Sequence, residues 1–206
     1  MSAVPRTLST RAGAQPGSTA PLISNARLGI ILLIAGESML FGGLIGAFLV
    51  FRFGARVWPP PGMPYLPVAV TSVNTLVLFS SCYPMTRALR AVRRGDLLGL
   101  RYGIALTTVC GLIFLSVQGW EWLRLLRHGL APSSGPYGST FYTLIGFHGL
   151  HVVAAVLWLA VVFLGSQRGR FSAARHTAVE LAAVYWYFVC AVWAVLFPLV
   201  YLGLGD

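Results

Sequence analysis

Five long and predominantly apolar stretches, joined by short connectors in which arginine collects, limit what this chain can fold into more than any other feature. A bilayer core about 30 Å thick is crossed by about 20 apolar residues in helical form, because backbone groups cannot face hydrocarbon unpaired. The stretches lie at about residues 28–51, 66–89, 102–126, 139–164 and 177–204. Only 10 % of residues are charged, against roughly a quarter in a soluble domain. The expected fold class is therefore an all-α membrane protein, a bundle of five transmembrane helices over residues 27–206. Residues 1–26, rich in Ser, Ala, Pro and Gly, are expected to form a disordered cytoplasmic arm. The first stretch is too long for the core of a cleaved signal peptide.

The net charge of +10 comes from arginine alone, since no lysine occurs. These arginines sit in connectors between apolar segments, where lipid headgroups lie, so a nucleic-acid partner is not expected. The amino-terminal arm and the connectors at 87–101 and 168–175 hold eleven of them, and the other side holds Arg52, Arg56, Arg124 and Arg127. Positive-inside asymmetry then places the amino terminus in the cytoplasm and the carboxyl terminus outside. Trp58-Pro59-Pro60-Pro61-Gly62 ends the first span, and Pro67 is expected in the first turn of the second, where a missing N–H costs nothing. Gly42 and Gly46 have the spacing that lets helices approach closely, and packing within the bundle is expected of them. Cys82, Cys110 and Cys190 are widely spaced and are expected to be separate packing residues.

Ionisable groups at bilayer depth must find a partner or neutralise. Glu37 lies about 14 Å into the first span, at about 1.5 Å per residue. His148 and His151 stand three apart on the fourth span, on nearly one face. His151 falls within about one helical turn of Glu37 in depth, so a hydrogen bond between them is expected, direct or through water. Glu121 lies near the end of the third span. His176 and Glu180, four apart, are expected to form a local surface pair. Two histidines on one helix make half a metal site, and no cysteine pair or third histidine completes it, so no metal or cofactor is expected on this chain. The run Tyr185-Trp186-Tyr187-Phe188 with Trp193 is expected to pack rather than to stack on a cofactor.

Tyr137-Gly138-Ser139-Thr140-Phe141 followed by Gly146-Phe147-His148-Gly149-Leu150-His151-Val152 closely resembles the signature of cytochrome c oxidase subunit III. Further pieces of that family's pattern stand in order around it: Glu37-Ser38-Met39-Leu40-Phe41, Trp58-Pro59-Pro60, Asn74-Thr75, Gln118 with Glu121, and His176, Glu180, Tyr185 and Trp186. The resemblance covers about residues 27–204 and is to the short five-helix bacterial form. It departs at Tyr187 and Cys190, where the family usually has a histidine and an aspartate.

The resemblance implies a subunit of a proton-translocating terminal oxidase in a bacterial cytoplasmic membrane. Haem and copper would sit on partner subunits, with subunit I packed directly against this chain and subunit II nearby. This chain itself would hold no catalytic site, and would stabilise the catalytic subunit and support proton uptake. Glu37, His148, His151, Glu121, His176 and Glu180 are then structural or proton-related polar sites. Phospholipid is a further candidate ligand. Longer members form a lipid-holding cleft with two additional amino-terminal helices, which this chain is expected to lack. Two other readings stay open at this stage: an accessory subunit of a nitric-oxide reductase, and a small independent proton-linked transporter.

Overall fold

A computed structural model describes residues 24–203. The expected arm at 1–26 falls almost wholly outside the described residues. Six helices are present among the described residues: α1 (Asn25–Gly54), α2 (Val68–Ser80), α3 (Cys82–Arg93), α4 (Leu97–Arg127), α5 (Pro136–Gln167) and α6 (Thr177–Tyr201). With α2 and α3 taken as one span, five segments among the described residues are long and apolar enough to cross a membrane.

Helix ends follow local chemistry that hydropathy does not see. Ser24 and Asp96 cap α1 and α4, their side chains accepting from the Arg27 and Gly99 amides at 3.4 and 2.8 Å. Pro136 opens α5, where its missing N–H leaves nothing unpaired. Helices α3, α4 and α5 each run into a glycine with positive φ, namely Gly95, Gly129 and Gly169. In each case the next residue's amide returns to the last turn, as Leu130 N–H does to the Leu125 carbonyl at 3.0 Å. These glycine stops carry α3 and α5 beyond the ends expected at 89 and 164.

The second span differs from expectation in two ways. Pro67 precedes α2 instead of lying in its first turn, its carbonyl taking the Thr71 amide at 3.1 Å. The span is also broken at Ser81. Pro84 explains the break: it offers no N–H to the Ser80 carbonyl one turn back, and its ring crowds that carbonyl. The Ser81 hydroxyl bonds the Leu78 carbonyl within the bend and accepts from the Trp186 indole N–H at 3.0 Å, so α6 is docked on the kink.

Helices α5 and α6 form the centre, touching each other and α1, while α4 joins α2 and α3 to α5. Trp186 and Trp193 are fully buried. At Gly111 a Cβ would meet the Trp186 ring at 2.7 Å and Val156 at 2.8 Å, so α4 can seat against that ring only without a side chain. Helix α1 leaves much of its surface open, with Leu32, Met39 and Val50 exposed. Gly42 and Gly46 have nothing within 4 Å of a built Cβ. They therefore do not pack within this bundle, contrary to expectation, because α1 turns its Phe41 and Phe48 side inward instead.

Candidate functional site

Three polar clusters tie the helices together among the described residues, two in the interior and one at an end of the bundle. In the first, α5 brings His151 against α1, and its Nε2 lies 2.7 Å from Glu37 Oε2. Its Nδ1 lies 2.6 Å from the Phe147 carbonyl one turn back. A carbonyl only accepts, so Nδ1 carries a hydrogen and the Glu37 side is left to Nε2. Two forms satisfy that contact: a carboxylic acid donating to neutral imidazole, or an imidazolium donating to carboxylate. Either way the pair has no net charge, which is how two ionisable groups are tolerated at this depth. Phe41 stands edge-on to the His151 ring at 5.0 Å.

His148, three residues earlier, goes elsewhere. It stacks on Trp193 at 4.9 Å and meets the edge of Phe114, and neither ring nitrogen has a hydrogen-bond partner among the described residues. The offset of about 60° between residues three apart separates the two rings: one turns to α6 and α4, the other to α1. They share Phe41 as a neighbour but no ligand position.

The second cluster ties α2 to α4 and α6. Glu121, 1 % exposed, lies 3.0 and 3.1 Å from the Thr71 hydroxyl, and Gln118 donates to the Tyr201 hydroxyl at 3.0 Å and to Glu121 at 3.4 Å. Thr71 has one hydroxyl hydrogen and a competing acceptor in the Pro67 carbonyl at 2.9 Å, so it cannot donate to both. Asn74 donates to the Phe114 carbonyl at 3.0 Å, and Thr75 accepts from the Trp193 indole at 2.9 Å. Thr71 and Tyr201 are partners that the sequence reading missed. A hydroxyl in a membrane helix gives no signal until the helix facing it is known.

The third cluster lies at the end where α1 and α6 begin. Glu180 is paired with Arg27 at 2.9 Å, with Arg93 at 2.9 Å and with His176 at 3.3 Å. The local pair expected of His176 and Glu180 is present, and Arg27 and Arg93 extend it into a junction of α1, α3 and α6. At the opposite end Arg52, 7 % exposed, donates to the carbonyls of Leu199 and Gly203, where a cation complements the last carbonyls of α6.

Among the described residues no three of His, Cys, Asp and Glu come close enough together to hold an ion. The cysteines are nevertheless not all separate: Cys82 on α3 and Cys190 on α6 have their thiols in contact, beside Ser81. The bend at Ser81 and the inward turn of α6 make that contact, which linear spacing concealed.

The family model described as "Cytochrome c oxidase subunit III" matches residues 3–203. The chain belongs to that family. It is 41 % identical over 84 % of its length to cytochrome c oxidase subunit 3 of Synechocystis sp., covering 74 % of that protein. To the subunit 3 proteins of Thermostichus vulcanus and Corynebacterium diphtheriae it is 35 % and 36 % identical, covering 86 % of each. Relatives named in this way do not favour the reductase-accessory or transporter readings. Where the chain departs from the family's usual pattern, the structure shows what the replacements touch. The Tyr187 hydroxyl bonds Thr86 on α3 at 2.8 Å, and Cys190 meets Cys82 on the same helix.

Proposed function

We propose that this chain is the non-redox subunit III of a haem-copper terminal oxidase, stabilising the catalytic subunit and supporting its proton uptake. Family membership over residues 3–203 carries the reading. Oxygen reduction would take place on subunits I and II, which would hold the haem and copper. Subunit I would lie directly against this chain. The interior supports the division of labour: its carboxylates bond to groups on other helices, Glu37 fastening α1 to α5 and Glu121 meeting Thr71 on α2. Removing the subunit should leave the haem absorbance bands of the complex in place and shorten its activity during sustained turnover. Loss of a haem band, with subunit I present in normal amount, would overturn the proposal.

The proposal includes location and orientation: a multi-pass protein of a bacterial inner membrane, amino terminus cytoplasmic, with residues 27–206 as one transmembrane domain. Arginine asymmetry supports the orientation. An impermeant thiol reagent applied to intact cells should label Tyr65→Cys, in an exposed loop, and should label Ala174→Cys only after permeabilisation. The opposite pattern would invert the topology.

A further inference from the structure

Tyr187 and Cys190, the two positions at which this chain departs from its family's usual pattern, both face α3. With Trp186 they make three contacts across that interface. The Ser81 hydroxyl accepts from the Trp186 indole at 3.0 Å, the Cys82 thiol meets the Cys190 thiol, and one turn further along α3 the Thr86 hydroxyl bonds Tyr187 at 2.8 Å. The sulfur pair is thus flanked along α3 by two interhelical hydrogen bonds that hold its register. Cys82 is partly exposed and Cys190 is buried, so a reagent arriving from outside the bundle meets Cys82 first. From Cys82 to the end of α3 at Arg93 is about 17 Å at about 1.5 Å per residue, which puts the thiols near the middle of a bilayer core about 30 Å thick. The cost of a charge at that depth excludes ionic oxidants but not a small uncharged one. Cys110 on α4 has no thiol against it among the described residues.

We propose that Cys82 and Cys190 form a reversible oxidation site, at which hydrogen peroxide converts the two thiols to a disulfide that latches α3 to α6. The Cys82 sulfur attacks one peroxide oxygen and the O–O bond breaks. The departing oxygen takes the thiol proton and leaves as water, so Cys82 carries a sulfenic acid. The Cys190 sulfur then attacks the Cys82 sulfur. An S–S bond forms, the S–O bond breaks, and a second water leaves with the Cys190 proton. Two thiols lose two electrons in all, and one peroxide gains them. A second thiol in contact captures the sulfenic acid before more peroxide can carry it to the irreversible sulfinic and sulfonic acids. The aspartate usual in the family at this position would offer no such partner. Neither the sulfenic acid nor the disulfide needs a charge, so the products leave no ion in hydrocarbon. The bond closes a loop that contains α4 and α5, and long closures constrain the unfolded chain most. It also fixes α6 beside the bend at Ser81. The inference does not depend on the oxidase partners.

The test uses membranes carrying the full chain with its copurifying subunits, treated with hydrogen peroxide, then denatured and alkylated with N-ethylmaleimide for mass spectrometry. The untreated chain should take up three maleimides, one for each cysteine. After peroxide only Cys110 should be alkylated, and proteolysis should release a Cys82 peptide joined to a Cys190 peptide. Dithiothreitol should restore all three sites. In Cys190→Ser the same treatment should stop at a Cys82 sulfenic acid, captured by dimedone, with no crosslinked peptide. The oxidised parent should unfold at a higher temperature than the reduced parent, and peroxide should give the variant no such rise. Three maleimides retained after peroxide, or oxidation of Cys82 with Cys190 still free in the parent, would overturn the proposal. So would a disulfide made through Cys110, one joining two copies of the chain, or an unfolding temperature that the crosslink leaves unchanged.

Discussion

Glu37 and His151 show how much a single residue pair controls when it is enclosed by apolar helices. The Phe147 carbonyl fixes one ring nitrogen as a donor, so the other depends entirely on the carboxyl. Glu37→Gln offers an amide hydrogen to that nitrogen and should leave stability within about 1 kcal/mol of the parent. Glu37→Leu strands the nitrogen and should cost about 1–3 kcal/mol. Thermal release of this subunit from the purified complex measures both, and a Leu variant as stable as the parent would show that the contact contributes nothing. A smaller effect is expected at Tyr187, whose hydroxyl reaches Thr86 at 2.8 Å. Tyr187→Phe should cost about 0.6 kcal/mol, the average for hydrogen bonds between membrane helices.

Between helices, close approach decides more than hydrogen bonding. Helices α3 and α4 meet where Gly103 faces the Pro84 carbonyl and Ala88. Backbone cannot give way as a flexible side chain can, so Gly103→Ala should force the two helices apart at about 1–3 kcal/mol. Gly119, on the same helix, has nothing within 4 Å of a built Cβ. Gly119→Ala should be neutral or slightly stabilising, by the roughly 1 kcal/mol by which alanine exceeds glycine in helix propensity. Comparing the unfolding of the two variants in detergent isolates the steric effect from propensity. Equal stability would mean that α3 and α4 adjust freely. The Ser81 bend belongs to the interface with α6, where its hydroxyl accepts from the Trp186 indole at 3.0 Å.

For the molecule as a whole, the two ends of the bundle are fastened differently. At the Glu180 end the paired arginines are 57 % and 54 % exposed, and such pairs contribute little once solvent screens them. At the other end Arg52 is nearly buried against the carbonyls closing α6. Glu180→Gln should therefore cost under about 1 kcal/mol, an effect that shrinks as salt is raised. Arg52→Gln removes charge-assisted bonds of about 1.5–3 kcal/mol each and should cost more, with little dependence on salt. Melting of each variant at low and high ionic strength checks the ordering, and equal salt sensitivity would contradict the assigned environments.

The number and rough extent of the spans were legible in the sequence, because crossing hydrocarbon demands length and few charges and both can be read along a chain. So was the family, from motifs such as Gly146 to Val152 standing in order. The depth of Glu37 and of His151 followed from helical rise alone. Which way each helix faces did not. In a soluble bundle the apolar stripe marks the inward side, whereas here lipid and core are equally apolar and the pattern carries little rotational information. Tertiary packing alone therefore decided that Gly42 and Gly46 face away from the bundle and that His148 and His151 part company. It decided too that Glu121 finds Thr71 and that Cys82 meets Cys190. Each outcome depends on how one helix is rotated about its axis against another, a quantity fixed only when side chains from separate spans interlock.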